Sequence, residues 1–397
     1  MCPSSAISQR PDTLVALKVS QLLPTLIIGF VAITLIDPIH AATPETSPST
    51  KSWPMFRGGP SLQGYSPVQL PAKLHLLWSY KTAGPVKSSP AIFEDRVLVG
   101  SDDGFLHALD IKNGTKLWTF KTGGPVESSP LVLNGSVYFG STDAFVYAVD
   151  AKQGQLRWKY ETGDKVLSGP NWDMLNGKPT VIVGSYDFKL HSLDALTGKS
   201  NWVYETGNYI NGSPAVSNGR TVFGGCDALL HVIGLTNGLK IKEVDAGAYI
   251  AGSVALSDEH AIFGHYENAV LSVNLTEGKV AWTYKDRAFP YFSSPAIHGD
   301  LVVFGGRDKR VHCVSKTTGK SIWTVPTRGK VDSSPVIASD KVVVGSDDGR
   351  LYVLELKDGK ELWNYEIGQA ITSSPAVVQD RIIVGCDDGS VYCFGKK

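Results

Sequence analysis

Hydrophobic and polar residues alternate along most of this chain in short segments, and turns rich in Gly, Asp and Asn separate the segments. One pattern of about 40 residues recurs from Trp78 to the C-terminus. In the copy from Ser88 to Thr122, the alternating segments cover residues 88–92, 96–100, 105–110 and 116–121. A period of two is typical of half-buried strands, and no long window has the 3.6-residue period of a helix. Four short antiparallel strands in each copy are typical of one propeller blade.

Three kinds of residue recur at fixed positions and show how many copies there are. A Trp lies in the predicted fourth strand, at Trp78, Trp118, Trp158, Trp202, Trp282, Trp323 and Trp363. A Pro that follows a Ser or Gly lies in the predicted first strand, at Pro90, Pro130, Pro170, Pro214, Pro295, Pro335 and Pro375. A Gly ends the second strand in all eight copies, at Gly100, Gly140, Gly184, Gly224, Gly264, Gly305, Gly345 and Gly385. Where the Trp and Pro series are interrupted, Lys242 and Val254 take their places. The sequence therefore predicts an all-β, eight-bladed β-propeller of four-stranded antiparallel blades.

The two ends of the repeat region complement each other. The last copy, residues 373–394, provides three strands, and residues 74–82 form an unpaired fourth strand at the other end. We expect the two to pair, because closing the ring removes sheet edges that would otherwise promote aggregation. The propeller is thus assigned to residues 74–397. A non-repeat segment, 53–73, precedes it and is expected to pack on one end of the ring.

The N-terminal region has the layout of a secretory signal peptide. Basic residues precede an apolar run from Leu22 to Ile36, and small residues offer a cleavage site near Ala41. The run is shorter than the roughly 20 residues that cross a bilayer as a helix. The sequence predicts a signal peptide over 1–41, a flexible linker over 42–52 and a periplasmic or secreted location. The protein is not expected to be an integral membrane protein unless the leader stays uncleaved.

Charge and cysteine usage narrow the possible partners. Lys plus Arg and Asp plus Glu number 38 each, and no basic stripe or nucleic-acid motif is present, so nucleic acid is not an expected partner. Beyond the leader the cysteines are Cys226, Cys313, Cys386 and Cys393. Their positions in the repeat argue against disulfides between them, and we expect them to be buried as small apolar side chains.

Structural roles account for most of the recurring residues. The repeated Trp is expected to fill the wedge between neighbouring blades. An acid follows the second strand in every copy, at Asp103, Asp143, Asp187, Asp227, Glu267, Asp308, Asp348 and Asp388. Eight acids suggest calcium binding, but each lies in its own tight turn, where an Asp side chain can accept a backbone N–H. Turn capping is therefore the preferred interpretation.

Residues 108–118 (Ala-Leu-Asp-Ile-Lys-Asn-Gly-Thr-Lys-Leu-Trp) resemble the tryptophan-docking repeat of pyrroloquinoline quinone (PQQ) dehydrogenases, Ala-x-Asp-x-x-x-Gly-x-x-x-Trp. Residues 148–158 repeat this pattern closely, and looser copies cover 192–202, 273–282 and 313–323. The whole of 53–397 is similar to the PQQ-like repeat superfamily. That resemblance implies the propeller fold. It leaves the activity open, because the superfamily holds both quinoprotein dehydrogenases and non-catalytic propellers such as BamB, a subunit of outer-membrane β-barrel assembly.

The resemblance also allows the enzyme class to be tested against the sequence. Quinoprotein alcohol dehydrogenases use a vicinal Cys-Cys ring over the cofactor, a Trp below it and Glu, Asn and Asp around Ca²⁺. This chain is shorter than those enzymes and has no adjacent Cys pair and no Cys-x-x-Cys-His haem site. Trp172, a Trp outside the repeat position, is expected to anchor a loop rather than to stack on a cofactor. We predict no cofactor, with PQQ and Ca²⁺ as the alternative, and no catalytic or metal-ligating set.

Subtracting the repeat leaves residues that distinguish one blade from another. The loops joining strands two to three and four to one emerge on one face of a propeller, and binding residues concentrate on such loops. Copies one, two, seven and eight have generic loops such as Ser-Asp-Asp-Gly, whereas copies three to six are rich in Tyr, Phe and Arg, which are typical of recognition surfaces. The predicted binding residues are Tyr186, Tyr209, Asn211, Cys226, Tyr249, His265, Tyr266, Phe289, Tyr291, Phe292, Arg307 and Arg328.

These observations favour a non-catalytic binding or scaffold protein that recognises a protein partner or a small ligand on the loop face of blades 3–6. A PQQ-dependent oxidoreductase acting on an alcohol or sugar is the alternative. Aromatic residues that only pack the loops together would explain the same pattern. Cys226 and His265 could also form a nucleophilic or metal-binding pair, although no third partner is evident. Since the predicted site lies on loops, replacing Arg307 and Tyr291 with Ala should leave folding intact. The oligomeric state stays open.

Overall fold

A computed structural model describes residues 51–397, and every helix or strand in that range is a β-strand. The predicted signal peptide and nearly all of the predicted linker lie outside the described residues. Two strands precede the repeats, β1 (Tyr65–Ser66) and β2 (His75–Lys81).

Each of the first four blades consists of four strands that are consecutive in the chain. Their bounds are β3 (Ala91–Phe93), β4 (Arg96–Gly100), β5 (Phe105–Asp110) and β6 (Lys116–Lys121) in blade 1; β7 (Leu131–Leu133), β8 (Ser136–Gly140), β9 (Phe145–Asp150) and β10 (Leu156–Glu161) in blade 2; β11 (Asn171–Leu175), β12 (Lys178–Gly184), β13 (Lys189–Asp194) and β14 (Ser200–Glu205) in blade 3; β15 (Ala215–Ser217), β16 (Arg220–Gly224), β17 (Leu229–Gly234) and β18 (Lys240–Asp245) in blade 4.

The remaining strands form blades 5 to 8 in the same order. Their bounds are β19 (Ala255–Ser257), β20 (His260–His265), β21 (Ala269–Asn274) and β22 (Lys279–Tyr284) in blade 5; β23 (Ala296–His298), β24 (Leu301–Gly306), β25 (Arg310–Ser315) and β26 (Ser321–Pro326) in blade 6; β27 (Val336–Ala338), β28 (Lys341–Gly345), β29 (Arg350–Glu355) and β30 (Glu361–Glu366) in blade 7; β31 (Ala376–Val378), β32 (Arg381–Gly385) and β33 (Ser390–Gly395) in blade 8.

The eighth blade closes the ring. Its strand order is β2-β33-β32-β31, and Trp78 of β2 lies opposite Cys393 of β33 in an antiparallel pair. The eight-bladed all-β propeller, closed by pairing of its first and last repeat strands, is confirmed. Strand bounds also follow the alternation closely in blade 1, except that the first strand begins at Ala91 rather than Ser88. Pro90 has no N–H for the sheet.

The repeated Trp joins neighbouring blades, as expected. Trp158 Nε1 donates to the Ala195 carbonyl at 2.9 Å, and Trp78 Nε1 donates to that of Ile111 at 2.9 Å. Six of the seven repeated Trp rings, all but that of Trp363, cover a turn glycine of the next blade. A Cβ on Gly154, whose φ is +69°, would lie 2.5 Å from Trp118 Cε3. Only glycine combines this backbone conformation with so close an approach.

Six of the eight acids after the second strand cap their own turns as expected, at Asp103, Asp143, Asp187, Asp227, Asp348 and Asp388. Asp103 Oδ1 accepts the Phe105 N–H at 3.0 Å within its own turn, and Oδ2 accepts the Ala83 N–H at 3.1 Å from the loop of the preceding blade. The carboxylate thus stabilises its own hairpin turn and ties two blades together.

The cysteines are buried. Cys313, Cys386 and Cys393 are free, so no disulfide joins any two of the four cysteines considered above. Burial raises the pKa of the Cys313 and Cys386 thiols to about 12, which keeps them protonated and unreactive. Cys226 is disulfide-bonded, but to none of these three, so the expectation of an unpaired side chain is wrong for this residue.

Residues 53–66, which we call the plug, run along the first strands of the blades at one end of the ring. Backbone hydrogen bonds join Trp53 to Ile92, Pro54 to Val132, Pro60 to Val216, Ser61 to Leu256, Gln63 to Ile297, Gly64 to Ile337 and Ser66 to Ser339. Met55 and Leu62 are 1% exposed and lie in the hydrophobic core. Arg57 spans two blades, donating to the Pro295 and Pro335 carbonyls. The plug therefore closes one end of the central channel.

Candidate functional site

Serines of the first strands line the central channel. The backbone N–H of Ser89 donates to Ser129 Oγ at 3.0 Å, and that of Ser374 donates to Ser89 Oγ at 3.0 Å. The same bond joins the blades at Gly169–Ser213, Ser213–Ser253, Ser253–Ser294, Ser294–Ser334 and Ser334–Ser374. The step from blade 2 to blade 3 departs from this series because Gly169 has no hydroxyl. These serines hold the ring together rather than offering free nucleophiles.

Above the plug the channel forms a cavity of about 290 Å³, which we call the cup. The serines line its wall, and Phe56 of the plug also lines it. Lys87, Asn211, Phe292 and Asp332 line it from the loops that join one blade to the next. The cup therefore opens on the loop face that the sequence analysis selected.

Charged side chains surround one side of the cup. Lys87 Nζ lies 2.7 Å from Asp102 and 3.2 Å from Glu127. Lys330 Nζ lies 3.3 Å from Asp347 and 3.4 Å from Asp332. Each lysine thus bridges two carboxylates of neighbouring loops.

The acids of this charged side are partly desolvated. Burial raises the pKa of Asp347 and of Asp387. One oxygen of Asp102 and one of Asp347 are buried without a hydrogen-bond partner. These acids come from the Ser-Asp-Asp-Gly loops that sequence reasoning set aside as generic. Their first Asp recurs only in some copies, which is the signal that could have identified them.

The predicted aromatic residues of blades 3–6 form two clusters. Tyr186 and Tyr209 stack with ring centroids 4.7 Å apart, and Lys165 lies over the Tyr186 ring at 4.5 Å. The ring centroid of Tyr266 lies 4.4 Å from that of Phe292 and 6.1 Å from that of Tyr249. Arg307 links this second cluster to the charged side of the cup.

Arg307 makes contacts of two kinds. Its guanidinium lies 3.9 Å from the Phe292 ring centroid, and it forms two hydrogen bonds to Asp332 at 3.0 and 2.7 Å. The structure therefore brings Phe292 and Arg307, two of the candidate residues, into contact. Asn211 lies at the cup and donates to Cys226 Sγ at 3.1 Å. Phe289 and Arg328 are the exposed members of the predicted set.

Four predicted binding residues are buried instead of facing solvent, and one of them is Tyr186, which is 5% exposed. Tyr291 is 1% exposed and packs edge-on against Phe304 and His312. Cys226 is 1% exposed and His265 is 5% exposed. Replacing Tyr291 with Ala would remove core packing, so the expectation that the Arg307/Tyr291 double variant leaves folding intact does not fit its placement.

His265 has a structural partner. Its Nδ1 accepts the Glu267 N–H at 3.0 Å, which fixes the tautomer with the proton on Nε2. Burial, together with nearby Lys285, lowers the pKa of His265. Within residues 51–397, neither His265 nor Cys226 belongs to the group of His, Cys, Asp and Glu side chains placed to share a metal ion.

Fold and site together define a PQQ-like repeat propeller with a polar cup at one end of its channel. The model of the family described as outer membrane protein assembly factor BamB matches residues 75–284 and 291–395, so the chain belongs to this family. No curated protein matches the sequence.

Solved structures share the architecture. The computationally designed Ika8 protein has a TM-score of 0.73 at 16% identity, over 81% of this chain and 99% of that chain. BamB from Moraxella catarrhalis has a TM-score of 0.68 at 19% identity, over 82% of this chain and 98% of that chain. A europium-containing methanol dehydrogenase has a TM-score of 0.73 at 14% identity, over 88% and 98%. At these identities the likeness shows the fold alone.

The residues at the cup do not fit PQQ with Ca²⁺. The wall consists mainly of serine hydroxyls and backbone, and the aromatic ring that reaches it from the plug is Phe56. The carboxylates of Asp102, Asp332 and Asp347 each pair with a lysine, so they do not converge on one cation. Trp172 lies in β11, opposite Val181, and packs against the core as a structural side chain.

Among residues 51–397 no helix is long and apolar enough to span a bilayer.

Proposed function

We propose that this protein is an exported, non-catalytic binding propeller that holds a protein segment on the loop face of blades 3–6. The observation that carries the proposal is the combination of the small polar cup with an aromatic and cationic rim. Small-molecule sites occupy roughly 300–1,000 Å³ and are mostly apolar. The cup is about 290 Å³ and lined mainly by serine, so the rim is the better candidate for the main contact.

The rim has the residue types of a protein interface. Phe289 is 48% exposed on the loop that leads into blade 6, and Arg328 is exposed on the loop that leads into blade 7. Phe292, which contacts Tyr266 and Arg307, lies in the same loop as Phe289. Tyr, Phe and Arg are enriched where proteins meet. The family description, an outer membrane assembly factor, supports a protein partner and a location outside the cytoplasm.

Site-specific photo-crosslinking tests the partner. Leu156 on the outer strand of blade 2 is 48% exposed, as is Phe289, so it is a matched control for exposure. A photo-reactive phenylalanine at position 289, expressed in the native host, should give one discrete protein adduct, and the same residue at position 156 should not. With that partner purified, the Phe289→Ala/Arg328→Ala variant should bind on the order of 10-fold more weakly, whereas Leu156→Ala should bind normally. Equal adducts at both positions, or none at 289, would refute the proposal.

The competing oxidoreductase is tested separately. The purified protein is mixed with PQQ and Ca²⁺ and passed over a gel-filtration column. We expect no quinone absorbance in the protein peak. Quinone retained at one equivalent per chain would favour the dehydrogenase class.

A further inference from the structure

Blade 6 departs from the way in which other blades satisfy their turn-capping acid. In five blades the second carboxylate oxygen accepts an N–H from the loop of the preceding blade, at Asp103, Asp143, Asp187, Asp227 and Asp348, over 2.7–3.2 Å. The corresponding oxygen of Asp308, Oδ2, is buried and has no hydrogen-bond partner. The Asp308 side chain is 1% exposed, so bulk water does not compensate.

A longer loop explains the difference. Residues 282 to 295, from the repeated Trp to the Pro, span one position more than the equivalent 118 to 130. This loop brings the carboxylate of Asp286 toward Asp308 where other blades provide an N–H. One oxygen or nitrogen each of Asp286, Asp308 and His312 lie within 4.8 Å of one another. Two carboxylates this close, one of them buried, repel each other unless a cation or a proton lies between them.

Tyr291 is a second, independent observation at this cluster. It is 1% exposed, and its hydroxyl oxygen has no hydrogen bond of normal geometry, although the backbone N–H of Asp286 approaches it. Its ring lies edge-on to His312 at 5.4 Å, and a Cβ added at Gly306 would touch Asp308, His312 and Tyr291 together. Burial raises the pKa of Tyr291, and the negative charges of Asp308 and Asp286 raise it further, whereas the backbone N–H of Asp286 lowers it.

The ordinary His–Asp contact of the repeat does not account for these features. In blade 1, His107 Nε2 contacts Asp103 in the same way, but both Asp103 oxygens also accept backbone N–H groups, and no second acid approaches. In blade 6, no Lys or Arg within residues 51–397 forms an ion pair with Asp286 or Asp308. Apart from His312, the buried Asp308 carboxylate therefore has no cationic partner, and burying a charge without one is costly.

We propose that Asp286, Asp308, Tyr291 and His312 bind one divalent transition-metal ion, Zn²⁺ or Mn²⁺, at the base of the 285–290 loop. Two carboxylates, a phenol oxygen and an imidazole suit these ions, whereas Ca²⁺ takes six to eight oxygen ligands. His312 Nε2 now lies 3.1 Å from Asp308, and Nδ1 lies 3.1 Å from the Tyr284 hydroxyl. In the metal-bound form the single proton of the neutral imidazole would lie on Nδ1, which donates to the Tyr284 hydroxyl and orients the ring, while the lone pair of Nε2 coordinates the ion.

The ion would fix the loop that carries the exposed Phe289. Asp286 is the exposed ligand, so Asp286→Asn should leave the fold intact. Asp164 is an exposed acid in the loop between blades 2 and 3, where its Oδ1 accepts the Lys165 N–H. Asp164→Asn is therefore the matched control.

The test uses untagged protein treated with EDTA and then dialysed. Calorimetric titration with ZnCl₂, MnCl₂ or CaCl₂ should give one Zn²⁺ or Mn²⁺ per chain and a higher Tm. Asp286→Asn should bind at least about 10-fold more weakly, while its Tm without metal stays close to that of the parent, and Asp164→Asn should bind normally. Three results would overturn the site: no binding of Zn²⁺ or Mn²⁺, unchanged binding by Asp286→Asn, or binding of Ca²⁺ in preference to both.

Discussion

Lys242 shows how one residue can replace another of different chemistry at a repeat position. It lies where the other blades have Trp, and its Nζ donates to the Leu275 and Thr276 carbonyls at 3.2 and 2.7 Å. The lysine stem covers Gly278 as the Trp rings cover the other turn glycines. Long cationic side chains pack their methylenes in this way while the charged end finds acceptors. Lys242 thus keeps both the hydrogen-bond donor to the next blade and the packing on the turn glycine, although it lacks the aromatic ring.

The contribution of the Trp–Gly contact to stability can be measured by comparing two glycines of similar backbone conformation. Gly154 has φ +69° and Gly219 has φ +68°, but a Cβ at Gly154 would meet Trp118 at 2.5 Å, and one at Gly219 would meet nothing within 4 Å. Gly219→Ala should cost about 1 kcal/mol of unfolding free energy from backbone strain alone. Gly154→Ala should cost roughly 1–3 kcal/mol more, because the Trp must move. Urea denaturation monitored by Trp fluorescence measures both, and equal losses would show that docking contributes little.

At this scale the sequence predicts residues on repeat positions well and the others poorly. Trp158, Gly154 and Asp103 have the same neighbours in blade after blade, so their roles follow from the repeat. The burial of Tyr291 also follows from the repeat, because other copies have a buried Val or Ile, such as Val126, four residues before the Pro. Asp347 lies off these repeat positions, and its approach to Lys330 depends on the loop that joins blades 6 and 7.

At the scale of elements, strands and plug differ in how they are specified. The strands follow from alternation and from turn residues that lie within a few positions of one another. The plug has no periodicity, and its contacts span most of the chain. Arg57 reaches Pro295 and Pro335, which are 238 and 278 residues away in sequence. Such contacts exist only once the ring has formed, so sequence reasoning gives the presence of a non-repeat segment but not its path.

Arg57 should be the main attachment of the plug. Burial lowers its pKa from 12.5 to about 9, and its guanidinium nevertheless donates to the Pro295 and Pro335 carbonyls. Arg57→Ala should lower the free energy of unfolding by about 2–4 kcal/mol, because both carbonyls lose a charged donor and a void remains. Arg157 is more exposed and pairs with Asp150, so Arg157→Ala should cost less than about 1 kcal/mol.

Limited proteolysis locates this effect. Cleavage within residues 53–66 should become much faster in Arg57→Ala, since local opening precedes global unfolding where an attachment is lost. The Arg157→Ala protein should be cut at the rate of the parent. Loss of stability without faster cleavage of the plug would mean that Arg57 acts on the ring as a whole.

At the scale of the whole molecule, the ring is held by two different closures. One is the pairing of β2 with β33 in blade 8. The other is the channel series of serine bonds, which returns from Ser374 to Ser89. The second closure needs the first, because blade 1 and blade 8 stay adjacent only while β2 is paired. The relative positions of the loops on the proposed binding face depend on both closures, because these loops project from neighbouring blades.

Two truncations separate the plug from the closing strand. A chain that begins at residue 67 loses the plug but keeps β2, and we expect a folded monomer with a lower Tm. A chain that begins at residue 83 also loses β2, which exposes the β33 edge and removes Trp78 from its contact with Ile111. Unpaired edges promote association, so this chain should aggregate or form large oligomers. Size-exclusion chromatography with light scattering distinguishes the two. The chain that begins at residue 83 could instead remain a monomer as stable as the chain that begins at residue 67. In that case β2 does not close the ring, and the serine bond between Ser374 and Ser89 is enough to hold blade 8 against blade 1.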